Sequence, residues 1–333
     1  MKDKLEKIIR GNDLSFAESR ESMGYIMDGT ANHSEITAWL IALKMKGETA
    51  EEVAGSAQAM RERGIKILPS RNGVIDVCGT GGDNSGTFNI STTAAFVIAG
   101  AGVPVAKHGN RSISSKSGSA DVMKALGINI NLSPERARAA LEEIGITFLF
   151  APDYHPAMKN VAPIRRELGI KTIFNILGPL TNPAGTKRQM IGTFNCHTAN
   201  IMAQAADMLA MEKVCFVCTA NHFDEITLSQ PSDVFEYNGQ IKHYQIDHST
   251  FGYSPVDPQE ICGDTPEENA AILLRLFEKK KKNAIFQVTA ANAAMALWIS
   301  GFDPAIKNCL AAAEDAILCG AALKKLKQLR KFE

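Results

Sequence analysis

Over roughly the first 65 residues, apolar positions recur at helical spacing. Ile36, Leu40 and Leu43 fall on one face with the stem of Lys44, and Val53, Ala57 and Met60 on another. Ser15 with Glu18, and Thr49 with Glu52, form capping-box pairs ahead of two such segments, while Gly11, Gly29, Gly47 and Gly64 read as stop signals. The pattern predicts a small all-helical unit. It changes at Arg71, where short apolar runs rich in β-branched residues begin: GVIDVC, VPVAKH, ITFLFA, MIGTF and KVCFVCT. Helical segments at 91–101, 134–143 and 198–211 separate these runs, and strands alternating with helices predict an α/β unit with a parallel sheet. Asn238-Gly239 stands between two alternating runs, a hairpin signal. The last seventy or so residues return to helix: Thr265-Pro266 opens the first segment, and 290–299 and 305–319 are strongly periodic.

Composition narrows the class. A chain of 333 residues can bury a substantial core and form two structural units. Its 36 basic side chains balance 36 acidic ones, whereas a dedicated nucleic-acid binder usually carries a basic excess. The four lysines at 279–282 fall where a helix should end, and cations there complement the macrodipole. Seven scattered cysteines suggest reduced thiols rather than a disulfide framework. Cys215 and Cys218 form a CxxC inside a strand-like run, with no second pair at zinc-finger spacing. The uncharged stretch 92–106 is shorter than the ~20 residues of a membrane span and reads as a buried helix followed by a buried strand. The N-terminus is charged and amphipathic, without a secretory apolar core. The expectation is a soluble, cytoplasmic protein with no membrane partner.

Four stretches could carry chemistry. The first, GTGGDNSGTFNIST (79–92), follows the run GVIDVC. It lacks the lysine of a P-loop and the third glycine of a dinucleotide fingerprint. A glycine-rich turn between a strand and a helix still exposes amides to an anion, with Ser85, Thr87, Asn89, Ser91 and Thr92 adding polar groups. The alternative is a polar turn capped by Asn89 or Ser91. The second, KHGNRSISSKSGSAD (107–121), puts Lys107, Arg111, His108, Asn110 and a Ser/Gly cluster after another strand, a set suited to polyphosphate. Two such loops at strand C-terminal ends support each other, since that edge is where α/β sheets bind ligands. The third is Asp224-Glu225, beyond KVCFVCT: adjacent carboxylates suggest Mg2+ beside a polyphosphate, or else a solvated acidic pair. The fourth, residues 151–183, is rich in Pro and aromatics, with His155 and Arg165 its outstanding polar groups. Arginine suits a carboxylate ligand, though a surface charge is the plainer reading of Arg165 alone.

Together GTGGD, FNIST, KHGNRSISSKSGSADV, RRELGIKTIFNILGPLTNP, Asp224-Glu225 and NAAMAL (292–297) closely resemble the anthranilate phosphoribosyltransferase family, over essentially the whole chain. The resemblance implies that 5-phosphoribosyl 1-diphosphate (PRPP) and anthranilate yield N-(5-phosphoribosyl)anthranilate and diphosphate with Mg2+, two ions per subunit, in tryptophan biosynthesis. It implies a small helical domain at 1–68 joined by about 163–186, a large α/β domain at 69–162 and 187–333 with a mostly parallel central sheet flanked by helices, and a homodimer through the helical domain.

Residue by residue, Gly79, Gly82, Asp83, Thr87, Asn89, Ile90, Ser91 and Thr92 match the diphosphate-side loop. Lys107, His108, Gly109, Asn110, Arg111, Ser112, Ile113, Ser114, Ser115 and Ser119 match the loop that closes over PRPP. Ser91, Asp224 and Glu225 match metal positions. Gly79, Asn110 and Arg165 match anthranilate contacts, while His155 and the Gly178-Pro179 turn, with His108, are similar to residues lining the anthranilate channel. His108, Asn110 and Arg165 are then positioning groups, and no general base stands out. The chain departs from the family at Thr219-Ala220-Asn221-His222-Phe223, where a His-Gly pair and a small residue are usual; the bulkier side chains are expected to reshape the loop presenting Asp224 and Glu225. Two other readings are weighed. A pyrimidine nucleoside phosphorylase of the same architecture needs no metal-held diphosphate, and a silent nucleic-acid-binding relative would not need an intact KHGNR loop.

Overall fold

The structure is a computed structural model that describes residues 1–82, 85–112 and 117–332. Four helices come first: α1 (Lys2–Ile9), α2 (Phe16–Met27), α3 (His33–Lys46) and α4 (Ala50–Arg63). Capping boxes start α2 at Ser15 and α4 at Thr49, as the sequence predicts, and a third starts α3 at Asn32 with Glu35. Glu52 does more than cap. Fully buried, it accepts the amides of Leu14 and Thr49, both at 2.9 Å, and the Lys46 ammonium at 3.0 Å. A buried carboxylate is tolerable only with such partners.

A seven-stranded sheet follows, with β1 (Ile75–Gly79), β2 (Val105–Gly109), β3 (Ile146–Phe150), β4 (Arg188–Gly192), β5 (Lys213–Thr219), β6 (Ser232–Tyr237) and β7 (Ile241–Ile246). The order is β3-β2-β1-β4-β5-β6-β7; the first five strands run parallel and the last two form the antiparallel hairpin at Asn238-Gly239. Gly239 takes φ +72°, which a hairpin turn requires and glycine adopts without strain. The chain winds outward from β1 to β3, then returns to β4 on the other side of β1. The crevice beyond the carboxyl ends of β1 and β4 is therefore the switch point where doubly wound sheets bind ligands.

One sheet face packs on helix α5 (Ile90–Gly100) and the C-terminal helices Pro266–Lys279, Ala284–Ser300, Ile306–Leu318 and Ala321–Arg330. Ala284–Ser300 is apolar nearly all round because it is buried nearly all round. The other face, through Cys78, Ile191, Val214 and Phe216, shares a core with α2–α4 and the helix Cys196–Met208. Ile164, Phe174, Leu177 and Leu180 belong to that same core. Arg61 of α4 donates to the carbonyls of Leu180 at 2.6 Å and Leu209 at 3.0 Å. Lys280 and Lys282 of the lysine run are tied to Leu318 and Glu314. Gly64 is extended, at φ −78°, and not a left-handed stop; the His155 ring lies 3.2 Å from where its Cβ would be.

Candidate active site

The first loop leaves β1 at Gly79 and enters α5 at Ile90. Asn89 occupies the cap position, but its side chain makes no cap bond, so neither a self-capped turn nor an Asn89 cap describes this helix start. The Ser91 amide instead donates to Glu225 Oε1 at 3.0 Å, from across the switch point. A helix N-terminus that takes its acceptor from a distant carboxylate is an anion-directed site. Asp224 lies alongside and accepts the Gly81 amide at 3.0 Å.

Two glycines permit this approach. A Cβ on Gly79 would fall on the Asp224 carboxylate, and one on Gly192, at the end of β4, on the Asp224 backbone carbonyl. Gly192 did not stand out in the sequence because it sits inside a predicted strand. Thr219 anchors the pair from behind, donating to the Glu225 carbonyl at 2.6 Å. The segment from Thr219 to Phe223 closes by mutual backbone bonds of 3.0 Å, with Ala220 and Asn221 left-handed at φ +53° and +51°. Asn221 accepts the Cys196 amide at 2.9 Å, and the His222 side chain points outward, exposed.

The second loop leaves β2. Lys107 is buried: its ammonium donates to the Val77 carbonyl at 2.6 Å and approaches Ser91 Oγ at 3.4 Å. Asp76, fully buried on β1, lies in its field. Burial pushes the Asp76 carboxyl up, and Lys107 opposes that shift. Asp76 accepts the His108 amide at 3.2 Å and the Gln189 side-chain amide at 3.2 Å, and Gln189 also donates to the Pro179 carbonyl at 2.8 Å. One acidic residue in an otherwise apolar strand thus ties β1 and β2 to the Gly178-Pro179 turn through β4. An Asp within GVIDVC was the available signal.

Beyond Gly109, exposed Asn110 accepts the Arg111 amide through its own side chain at 2.8 Å, and its carbonyl accepts from Ala120 at 3.1 Å and Ser119 at 3.4 Å. The amides of Ser112 and Gly118 both donate to Asp121, at 3.2 and 3.1 Å. The two loops meet where Ser117 donates to Asn89 at 3.3 Å. Thr87 bridges to Cys262, and Thr92 is fully buried. Gly82 stands at the rim, half-buried; Asp83, Ile113, Ser114 and Ser115 lie outside the described residues.

The third wall holds the histidines. The rings of His108 and His155 lie 5.4 Å apart. His155 Nε2 bonds the Thr181 carbonyl at 3.0 Å and so carries a proton there. Burial lowers the pKa of His108 to about 3, with help from His155 and Lys107, and that of His155 to about 4. Both rings are neutral near pH 7. His108 bonds the Gly178 backbone, and its buried Nε2 has no partner among the described residues. Arg165, on the helix Ala162–Leu168, holds its guanidinium 5.3 Å from the Phe174 ring centroid. Burial alone lowers its pKa, with no carboxylate among the described residues to offset the cost.

The donor chemistry fits Mg2+: carboxylate and hydroxyl oxygens from Asp224, Glu225 and Ser91, all hard ligands. Among the described residues no three His, Cys, Asp or Glu side chains converge as a metal cluster, so substrate oxygens would have to complete the shell. No helix among the described residues is long and apolar enough to cross a membrane.

The fold and the site define a glycosyltransferase. The family described as "Glycosyl transferase family, a/b domain" matches residues 71–323, and its helical bundle domain matches 2–64. The curated anthranilate phosphoribosyltransferase of Persephonella marina is 43% identical over 334 aligned residues, covering 100% of this chain and 98% of that one. That of Methanosarcina acetivorans is 45% identical, covering 100% and 90%. Among solved structures, the Thermus thermophilus enzyme superposes with a TM-score of 0.92 at 38% identity, covering 98% of each chain. The Saccharomyces cerevisiae enzyme in complex with PRPP and Mg gives 0.89 at 26% identity, covering 98% and 95%. The chain belongs to the anthranilate phosphoribosyltransferase family. This membership favours the transferase reading over a nucleoside phosphorylase or a silent nucleic-acid binder.

Proposed function

We propose that this protein transfers the phosphoribosyl group of PRPP to the amine of anthranilate in tryptophan biosynthesis, releasing diphosphate. The bond from the ribose anomeric carbon to diphosphate breaks, a bond from that carbon to nitrogen forms, and the amine's proton leaves to the released diphosphate or to water. The carrying observation is the convergence at the β1/β4 switch point of an α5 N-terminus without its own side-chain cap and the carboxylates of Asp224 and Glu225. Mg2+, when bound by Asp224, Glu225 and Ser91, neutralises charge developing on the leaving diphosphate. The phosphates of PRPP are assigned to Gly79, Gly82, Ile90–Thr92, Asn110 and Arg111, with Lys107 supplying positive charge from beneath Ser91 rather than a direct contact.

Arg165, cationic and without an acidic partner among the described residues, grips the anthranilate carboxylate. His108 Nε2 presents a lone pair to an amine N–H and orients it. With a pKa of about 3, this ring does not store the proton at neutral pH, so its role is positional. Asn110, Gly79, His155 and the Gly178-Pro179 turn complete the anthranilate side. Asp83, Ile113–Ser115, Ser112, Gly109, Thr87, Asn89 and Ser119 complete the PRPP side.

We take the helical domain as 1–68 with 163–186; Ile164, Phe174 and Leu180 pack with α2–α4, in a core that also takes in the sheet face at Cys78, Ile191 and Phe216. Exposed Ile9 and Met45, at 67% and 84%, support a homodimer through that domain. Two Mg2+ ions and a cytoplasmic location complete the reading. The deciding experiment follows anthranilate fluorescence with PRPP and Mg2+. A Mg2+-dependent loss of signal is expected; folded protein that leaves anthranilate untouched would overturn the assignment.

A further inference from the structure

The NAAMAL segment has no part in the site so far, yet its first residue reaches it. Asn292 lies in the helix Ala284–Ser300, which packs against β1, β4, β5 and α5. Its side chain is 2% exposed and makes three bonds. Oδ1 accepts the amide of Ile226 at 3.2 Å, and Nδ2 donates to the carbonyls of Ile226 and Val288, each at 2.8 Å. Ile226 is fully buried and follows Glu225 directly. Its peptide groups belong to no strand, so without Asn292 they would be buried polar groups short of partners. Asn292 also lines a small pocket shared with Ser91, Glu225 and Gly192.

A side-chain amide that satisfies both polar groups of one residue fixes that residue's rotation and hence the direction of its neighbours. Asp224 is held in front by Gly81 and by the tight approach to Gly192, and Thr219 holds the Glu225 carbonyl. Asn292 supplies a further anchor, on the C-terminal side, and supplies it from a helix buried along nearly its whole length. Outer partners of this kind orient metal-binding carboxylates, and their loss typically lowers metal affinity by about 10–100-fold.

We propose that Asn292 is a positioning residue for the metal-side carboxylates, acting through the backbone of Ile226 on Glu225. This rests on the reading that Asp224 and Glu225 hold the divalent ion. Mn2+ binding in the presence of diphosphate, read by the EPR signal of free Mn2+, tests it apart from turnover. Asn292→Ala is expected to weaken Mn2+ binding about tenfold or more, with KM for anthranilate within about twofold of the parent. In a Glu225→Gln background the same change should add almost nothing, because the residue it acts through is already lost. A merely structural role would lower the urea midpoint without moving metal affinity in one background and not the other.

Should Asn292→Ala not accumulate folded, Asn292→Asp serves: it keeps the volume and the acceptor for Ile226 N–H but removes the two donated bonds. Folded Asn292 variants that bind Mn2+ like the parent, or losses that multiply with those of Glu225→Gln, overturn the proposal. Unchanged Mn2+ binding in Glu225→Gln itself would instead overturn the metal reading beneath it.

Discussion

Gly192→Ala tests the placement of the acidic pair most directly. The new methyl would land on the backbone carbonyl of Asp224 and 3.1 Å from its Cα. Neither side can yield cheaply, since Gly192 is the last residue of a central parallel strand, paired with Gly79 and Val217. To reach ordinary van der Waals separation the Asp224 backbone must retreat by roughly 2 Å. That movement strains the Gly81 contact to Asp224 and the Ser91 contact to Glu225, now both 3.0 Å. Overpacking of this kind costs about 1–3 kcal/mol of stability, which a folded chain of this size can absorb. Misplacing catalytic groups by about 1 Å costs on the order of 100-fold in rate, so kcat/KM should fall by about that factor or more. Initial rates from anthranilate fluorescence, beside urea unfolding curves, separate the two effects. A variant that keeps kcat/KM within about threefold, with an unchanged unfolding midpoint, would refute the claim that β4 and the acidic turn touch.

Arg165→Ala should raise KM for anthranilate by about tenfold or more while leaving KM for PRPP nearly unchanged, and Arg165→Lys should not restore it because a bidentate grip is lost; steady-state kinetics in each substrate decide, and a defect confined to PRPP would contradict the assignment. Glu225→Ala should weaken both Mg2+ dependence and turnover, and unchanged kinetics across Mg2+ concentrations would remove it from the site. His108 and His155 have folded pKa values of about 3 and about 4, below the unfolded value near 6.5, so the unfolded chain binds more protons in between. Their contribution to stability is whole above pH ~6.5 and is lost as pH falls towards 4 and then 3, on the order of 2 kcal/mol per ring by pH 5. Urea midpoints should therefore fall across that window and fall less in His155→Gln; equal slopes would refute it. Ala220→Gly should stabilise by about 0.5–1 kcal/mol, because Ala220 holds φ +53°; an unchanged or lowered midpoint would show that no strain resides there.

Much of the fold was legible because its signals are local. The capping boxes at Ser15 and Thr49, the Asn238-Gly239 turn and the five parallel strands each depend on a few neighbouring residues. The capping box at Asn32 was equally available in the residues Asn32 and Glu35. The strand order was not legible, since winding from β1 out to β3 and back to β4 depends on packing between distant segments. The same division runs through the site. Glycine-rich and acidic loops announce themselves by composition. Asp76, Gly192 and Asn292 act through contacts more than 30 residues away, and in sequence they look like ordinary members of a strand or an apolar helix. Lys107 shows the converse: its residue type suggested a cation that meets polyphosphate directly, whereas the sheet places its ammonium beneath Ser91, against Val77.

The Thr219–Phe223 segment changes what its unusual residues mean. Backbone bonds at its two ends close the turn, and Asn221 is engaged with the start of the helix Cys196–Met208. His222 is exposed and two residues from Asp224; its amide donates to the Thr219 carbonyl at 3.0 Å and its ring packs edge-on against Phe223. A reporter grafted at that position, such as a fluorophore on His222→Cys, would sit beside the reaction without touching its machinery.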